Sequence, residues 1–517
     1  MAKFISSREA IDLIKEGNTV GVGGFVGFSI PEELLTSLED KYVNEGCPKN
    51  LTVFNCAGIG DKNGRGMDHF AHEGLVKKLY CGHVGLAPKL GELAAQNKFP
   101  AYMVPQGVAC HLVKAIASGS PGLLTHVGLK TFADPRLEGC KANKAAEKED
   151  IVELMNIDDK DYLFYKSFPI DVCFIKATTA DEKGNLSLEK EAVRADQLSI
   201  ATATKNSGGI VIAQVEKVCR YDSLKAADVA VHSHLVDYVV LGSHEHNVQS
   251  FATKEYIPEW SGEIRGPSGK LKPVEICPKK IIGKRGAFDL KKGGLINLGI
   301  GVPEYVAMSA DEENISNEIT LTIESGVMGG VPASGLGIGA TYNPDAIHVQ
   351  EQIFDLYDGG GIDVAYLGAA EIDKDGNVNV SKFGGKVVGP GGFINISQNA
   401  KKVVFCGTFK AGGLKTEIAN GKITILQEGR SVKFKDTVEQ ITFSADYAKE
   451  SGQEILYITE RAVFKLTDNG PTLIEIAPGI DLQKDILDQM EFKPCISDDL
   501  KEMDLRIFID EKMNIEI

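Results

Sequence analysis

No apolar run in this chain approaches the ~18 residues of a membrane span. The first residues, MAKFISSREAIDLIKEGN, carry charges where a secretory signal would carry an apolar core, which argues against export. The ten cysteines are scattered and none forms C-x-x-C, so neither a zinc nor a redox motif is present. Free thiols in apolar stretches fit a reducing cytoplasm. There is no G-x-x-x-x-G-K-[ST] phosphate loop and no G-x-S-x-G nucleophile elbow. The dinucleotide fingerprint fails because Val26 stands where a third glycine should follow Gly21 and Gly23. Gly58-Ile-Gly60 and Gly299-Ile-Gly301 fail in the same way. Net charge is −16, which argues against a nucleic-acid or anionic-membrane partner. Lysine and arginine are also missing from 293 to 373.

What the chain does have is glycine, 56 in 517 residues, well above the typical ~7%. It also repeats itself. DVCFIKATTADEKGNLSL (171–188) reads like DVAYLGAAEIDKDGNVNV (363–380). Each is Asp-Val, an apolar strand, Asp-x-x-Gly-Asn and an alternating strand, with Gly-Asn as the turn. Upstream, REAIDLIKEGNTVGVGG (8–24) parallels RGAFDLKKGGLINLGIG (285–301). Downstream, NSGGIVIAQV (206–215) parallels NAKKVVFCGT (399–408). Short β-branched runs alternate with helical periodicity, which predicts mainly parallel strands covered by helices. We read two homologous open α/β domains, at 1–246 and 281–517, joined by a polar, proline-bearing linker at 247–280. The first carries the larger insertion between its matched pieces.

Several motifs invite chemistry and have ordinary explanations. HSH (232–234), HEH (244–246) and HFAH (69–72) lack a third metal ligand at a useful spacing. DEKGN and DKDGN are better hairpin turns than calcium loops, since the EF-hand glutamate is absent. GGF at 23–25 closes a strand before Pro31 opens a helix with Glu32 and Glu33 in its first turn. Gln106 lies between an apolar strand end and an amphipathic helix, as a capping turn or as an amide donor aimed into a cleft.

TIESGVMGGVPASGLGIGATYN (322–343) sets Glu324 ahead of six glycines with no cation nearby in sequence. Strand alternation would place it on the polar face with Thr320 and Thr322, facing solvent. The glycines and the apolar run after it favour a covered cleft, where a carboxylate can act as a nucleophile. From the residues alone both readings stand.

With these motifs in place, the sequence resembles the class I CoA-transferases, and most of all the propionate/acetate branch. GGFxxxSxP (23–31) is similar to the N-terminal signature, with Ser29 where many members have glycine. ESG (324–326) is similar to the active-site motif, with serine in place of the Asn found in ketoacid-specific relatives. PQG (105–107), NLGIGVPE (297–304), DGGGIDVAYLGAAEID (358–373), GPGGFINIS (389–397) and IAPGIDLQKDILDQM (476–490) extend the likeness end to end. It implies a CoA-transferase fold with α-like and β-like halves fused in one chain, the β-like half bearing the catalytic Glu. It implies transfer of CoA from an acyl-CoA to a short carboxylate such as acetate, propionate or butyrate. The route is ping-pong, through a glutamyl-CoA thioester on Glu324. Gln106 would donate to the oxyanion, with Gly23, Gly24 and Phe25 as the oxyanion and substrate loop. Gly389, Gly391, Gly392, Phe393 and Gly301 would line the CoA. CoA is then a substrate, and no metal or permanent cofactor is expected. A cytoplasmic homotetramer without nucleic-acid or membrane partners is the expected setting. The competing readings are an acyl-CoA thioesterase on the same scaffold and a non-enzymatic acyl-CoA or sugar-phosphate sensor.

Overall fold

The computed structural model describes residues 1–267 and 274–517, so 268–273, inside the expected linker, lie outside the described residues. The chain divides into two compact units. One takes the described part of Met1–Ser268 together with Ile323–Asp355 and Gly384–Asn395. The other takes the described part of Gly269–Thr322 with Leu356–Phe383 and Ile396–Ile517.

The first unit is built on a long sheet. Its main path runs through β1 (Lys3–Ile5), β2 (Thr19–Val22), β3 (Leu51–Asn55), β4 (Val76–Cys81), β5 (Ala101–Met103), β6 (Val172–Asp181), β7 (Ile210–Cys219) and β8 (Tyr238–Leu241). They lie in the order β1-β8-β7-β6-β2-β3-β4-β5, and every one of these pairings is parallel. All ten residues of β6 are buried, as expected of a central strand with helices on both faces. Gly21 in β2 has a reason to lack a side chain, since a Cβ there would come within 2.9 Å of Ile200 on the helix Gln197–Asn206. The first half's insertion includes a separate three-stranded sheet of Gly122–Thr125, Lys160–Lys166 and Val152–Ile157.

The second unit has its own sheet. Its strands include β9 (Leu295–Leu298), β10 (Thr320–Thr322), β11 (Val364–Gly368), β12 (Lys402–Cys406), β13 (Glu454–Ile458), β14 (Ala462–Thr467), β15 (Gly470–Ile476) and β16 (Cys495–Glu502). The order is β10-β9-β11-β12-β13-β14-β15-β16. Pairings are parallel from β10 to β13, antiparallel through β14 and β15, and parallel again at β16.

The sequence repeat maps onto matching places in the two sheets. β7-β6-β2-β3 in one corresponds to β12-β11-β9-β10 in the other. The Asp-x-x-Gly-Asn turn also has the same construction twice. Asp181 Oδ1 accepts the N–H of Lys183 and of Asn185, both at 2.9 Å, and Asn185 Nδ2 donates to Asp181 Oδ2 at 2.7 Å. Asp373 Oδ1 accepts from Asp375, Gly376 and Asn377, and Asn377 Nδ2 donates to Oδ2 at 3.0 Å. The architecture is α/β with mainly parallel sheets.

Candidate active site

Glu324 is not on a strand. β10 ends at Thr322, and a tight turn follows: Gly326 N–H donates to Ile323 O and Ile323 N–H donates to Val327 O, both at 3.0 Å. Glu324 and Ser325 occupy the two central positions of that turn. Gly326 sits at φ +104°, and a Cβ there would lie 2.1 Å from the His348 carbonyl oxygen. His348 N–H donates to Gly326 O at 2.8 Å, so the turn is tied to the segment that opens the helix α1 (Gln350–Asp358). Ser325 is fully buried, and its hydroxyl donates to Gly339 O at 2.6 Å. The turn is therefore held at both flanks, and only the Glu324 side chain is left without such a tether.

Glu324 is half-buried and forms no ion pair among the described residues. Desolvation holds its carboxyl above the ordinary range, opposed only by its own backbone N–H. That combination suits a carboxylate nucleophile, because it is poorly hydrated and no cation quenches it.

Gln106 is the first residue of the helix Gln106–Ala117 and is 2% exposed. Its N–H donates to Gly391 O at 2.9 Å, which joins it to the glycine loop at 389–393. Its Nε2 donates to Gln350 Oε1 at 3.3 Å. Gly391 N–H donates to Gly82 O at 2.9 Å and Phe393 N–H to Pro390 O at 3.0 Å. Among the described residues, the N–H groups of Gly389 and Gly392 make no such bond, and both glycines are buried.

The GGF loop behaves otherwise. Gly23 N–H donates to Phe174 O at 2.9 Å, Gly24 N–H to Asp196 Oδ1 at 3.3 Å, and Phe25 N–H to Phe28 O at 3.1 Å. All three hydrogens are used inside the protein. Phe25 and Phe28 instead pack in an apolar cluster with Trp260, Ala333 and Ala340, and so face the glycine-rich segment that follows Glu324. The loop is strained: Val26 and Ser29 hold φ of +54° and +53°. Ser29 stays there because its hydroxyl lies 2.5 Å from Val193 O and 3.0 Å from Glu191 Oε2, two acceptors that share its one hydrogen. Gly301 belongs to the second unit, exposed, with its N–H donating to Glu304 Oε1 at 2.8 Å.

Sequence reasoning missed a buried polar group beside Gln106. Gln350, Glu351, Asp196 and Cys110 carry no motif, and Gln350, Glu351 and Asp196 stand among polar residues that gave no sign of burial. Glu351 is 4% exposed, and its carboxyl is pushed up to about 8 by desolvation, with Asp196 and Asp355 adding and Lys114 opposing. It accepts a bond from Ser199 Oγ. Asp196 is also raised by burial, against bonds from Cys56 and Gly24. The histidines of HFAH have a structural use: His69 Nδ1 and His72 Nε2 lie 2.5 and 2.7 Å from the Glu39 carboxylate.

Residues 4–242 match the family model described as Coenzyme A transferase. The chain is 48% identical over 513 residues to a caffeate CoA-transferase from Acetobacterium woodii, covering 98% of each chain. The chain belongs to the class I CoA-transferases. It is also 43% identical over 513 residues to acetate CoA-transferase YdiF of Escherichia coli strain K12, across 98% of this chain and 96% of that one. A crystal structure of the YdiF acyl-CoA transferase from E. coli O157:H7, described as a thioester complex with CoA, superposes with a TM-score of 0.94 at 42% identity. That match covers 100% of this chain and 98% of the other. The protein is thus an enzyme that transfers CoA. Among the described residues, no helix is long and apolar enough to cross a membrane.

Proposed function

We propose that this CoA-transferase exchanges CoA between a short-chain acyl-CoA and a free carboxylate of the acetate, propionate and butyrate class, through a thioester on Glu324. The observation that carries the reading is the Glu324 turn: a desolvated carboxylate with no ion pair among the described residues, locked at Ser325 and Gly326. The name of the E. coli relative's complex supports it, since that protein was captured as a thioester with CoA.

The steps balance without ATP or metal. The Glu324 carboxylate attacks the thioester carbon, and CoA leaves as a thiolate from a mixed acyl-glutamyl anhydride. The thiolate then attacks the glutamyl carbonyl, releasing the first acid and leaving glutamyl-CoA. The acceptor acid reverses both steps. Each attack passes through an oxyanion that needs donors. We assign these to Gln106 Nε2 and the N–H groups of Gly389 and Gly392, which no protein acceptor takes among the described residues, and give Phe25 the role of an apolar wall that keeps water from the anhydride. Gly391, Phe393 and Gly301 remain proposed CoA contacts. The division into halves at 1–246 and 281–517, the homotetramer and the cytoplasmic setting belong to the same proposal.

The test is incubation with acetyl-CoA and no acceptor, followed by peptide mapping. The expected result is one CoA on the peptide carrying Glu324, reducible by borohydride, and an adduct on a cysteine would sink the reading. Because the relatives carry the names of different acids, the acceptor panel should include both acetate and caffeate. Steady acetyl-CoA loss without acceptor would favour the thioesterase.

A further inference from the structure

Gln350 is fully buried, and its amide is used unevenly. Its Oε1 accepts from Gln106 Nε2 and from Cys110 Sγ, each at 3.3 Å. Among the described residues, its Nε2 has no hydrogen-bond partner. The two donors stand four residues apart on the helix Gln106–Ala117, hence one turn apart on one face. They point at a single oxygen and fix which way round the Gln350 amide sits. A buried donor left unmade is expensive, so an amide whose oxygen is bound twice and whose nitrogen is not bound is held for its oxygen. The Gln350 backbone is anchored too, its N–H donating to Ala195 O at 3.4 Å, while its neighbour Glu351 is bound by Ser199.

We propose that Gln350 is a positioning residue of CoA transfer: its side-chain oxygen takes one amide hydrogen of Gln106 and thereby aims the other at the oxyanion. This rests on the donor role assigned to Gln106 above. The physical need is specific. The last torsion of a glutamine is broad and roughly two-fold, so an untethered Gln106 amide would spread over many orientations and present as much oxygen as nitrogen to the substrate. An oxygen facing a developing oxyanion would repel it. One bond to a fixed acceptor settles both the plane and the flip. The segment 348–351 also binds the Glu324 turn through His348, so one short stretch sets the nucleophile and the donor in a common frame.

The experiment is a double-mutant cycle on kcat and KM with acetyl-CoA and a carboxylate acceptor. Gln350→Met keeps the shape and removes the oxygen, and Gln350→Glu keeps an oxygen in the same place. Gln350→Met should lower kcat roughly 10–100-fold with KM little changed, and Gln350→Glu should retain most of the rate. In a Gln106→Ala background, Gln350→Met should cost nothing further. A role confined to packing predicts the reverse, with Met tolerated and Glu harmful, and overturns the inference. Multiplying losses in the double mutant overturn it as well. If Gln106→Ala slows transfer but Gln350→Met does not, this inference fails alone. If Gln106→Ala leaves kcat unchanged, the donor role of Gln106 itself fails. Should the Met protein not fold, Gln350→Asn, one methylene too short, replaces it with the same expected loss.

Discussion

Lys176 Nζ lies 3.2 Å from the Glu191 carboxylate, and the two side chains are only 2% and 3% exposed. The lysine also donates to Val248 O at 2.7 Å, and Glu191 accepts from Ser29. Removing one partner of a buried pair strands the other charge. Lys176→Met should therefore cost about 3–5 kcal/mol in denaturant unfolding, and the double variant Lys176→Met/Glu191→Leu should recover much of that loss. A loss below about 1 kcal/mol for the single variant would show that the buried pair does not hold this region together.

Ser29 gives a prediction of rank order. At φ +53° it pays backbone strain that glycine would not, yet its hydroxyl hydrogen is held between two acceptors. Ser29→Ala loses the bonds and keeps the strain. Ser29→Gly loses the bonds and relieves it. The Gly variant should be the more stable of the two by roughly 1 kcal/mol in thermal unfolding. Equal stabilities would mean the strain is relaxed elsewhere.

Gly326→Ala should cripple the enzyme. The added methyl meets the His348 carbonyl at 2.1 Å, and φ +104° disfavours any side chain. The turn must shift, and a misplacement of about 1 Å can cost 10²-fold in rate. Single-turnover formation of the CoA adduct measures it, with circular dichroism reporting the sheet intact. Adduct formation at the parental rate would show that the turn does not position Glu324.

Glu351 links stability to pH. Its folded pKa of about 8 lies above the ordinary 4.5, so the folded state holds a proton that the unfolded state loses first. The stabilisation is complete below about pH 4.5 and falls away as pH rises through about 8. The groups around it are Asp196 and Asp355, which raise the pKa, and Lys114, which opposes. His69, raised to about 9 mainly against desolvation by Glu32 and Glu39, acts in the same direction above pH 6.5. Glu351→Gln removes only the first contribution. Unfolding free energy measured from pH 5 to 8 should fall less steeply in Glu351→Gln than in the parent, and parallel curves would show that Glu351 is ionised in the fold.

Much of the architecture was legible because the apolar strands and the Asp-x-x-Gly-Asn turns repeat. Asp171 and Asp363 illustrate this: each opens its repeat, and each carboxylate accepts the first N–H of the neighbouring strand, from Thr19 at 2.7 Å and from Leu295 at 3.0 Å. The Glu324 turn was half legible. Its glycines marked it, but alternation carried the strand two residues too far, because a turn closed by backbone bonds leaves no side-chain period to read. The GGF loop suggested open amides, and in the fold those hydrogens are occupied by Phe174, Asp196 and Phe28. Gln350 could not be found, since its importance lies in meeting Gln106 from 244 positions away.

That the first unit borrows Ile323–Asp355 and Gly384–Asn395 from late in the chain has a consequence for biosynthesis. When the early strands leave the ribosome, the pieces that carry Glu324 and the 389–393 loop are still unmade. At typical synthesis rates of about 5–20 residues per second, the unfinished unit waits on the order of ten seconds with apolar surface uncovered. Phe25 and Phe28, which end up against Ala333 and Ala340, are part of that surface. Nascent chains truncated before residue 323 should therefore lean on chaperones more than those extended past 395.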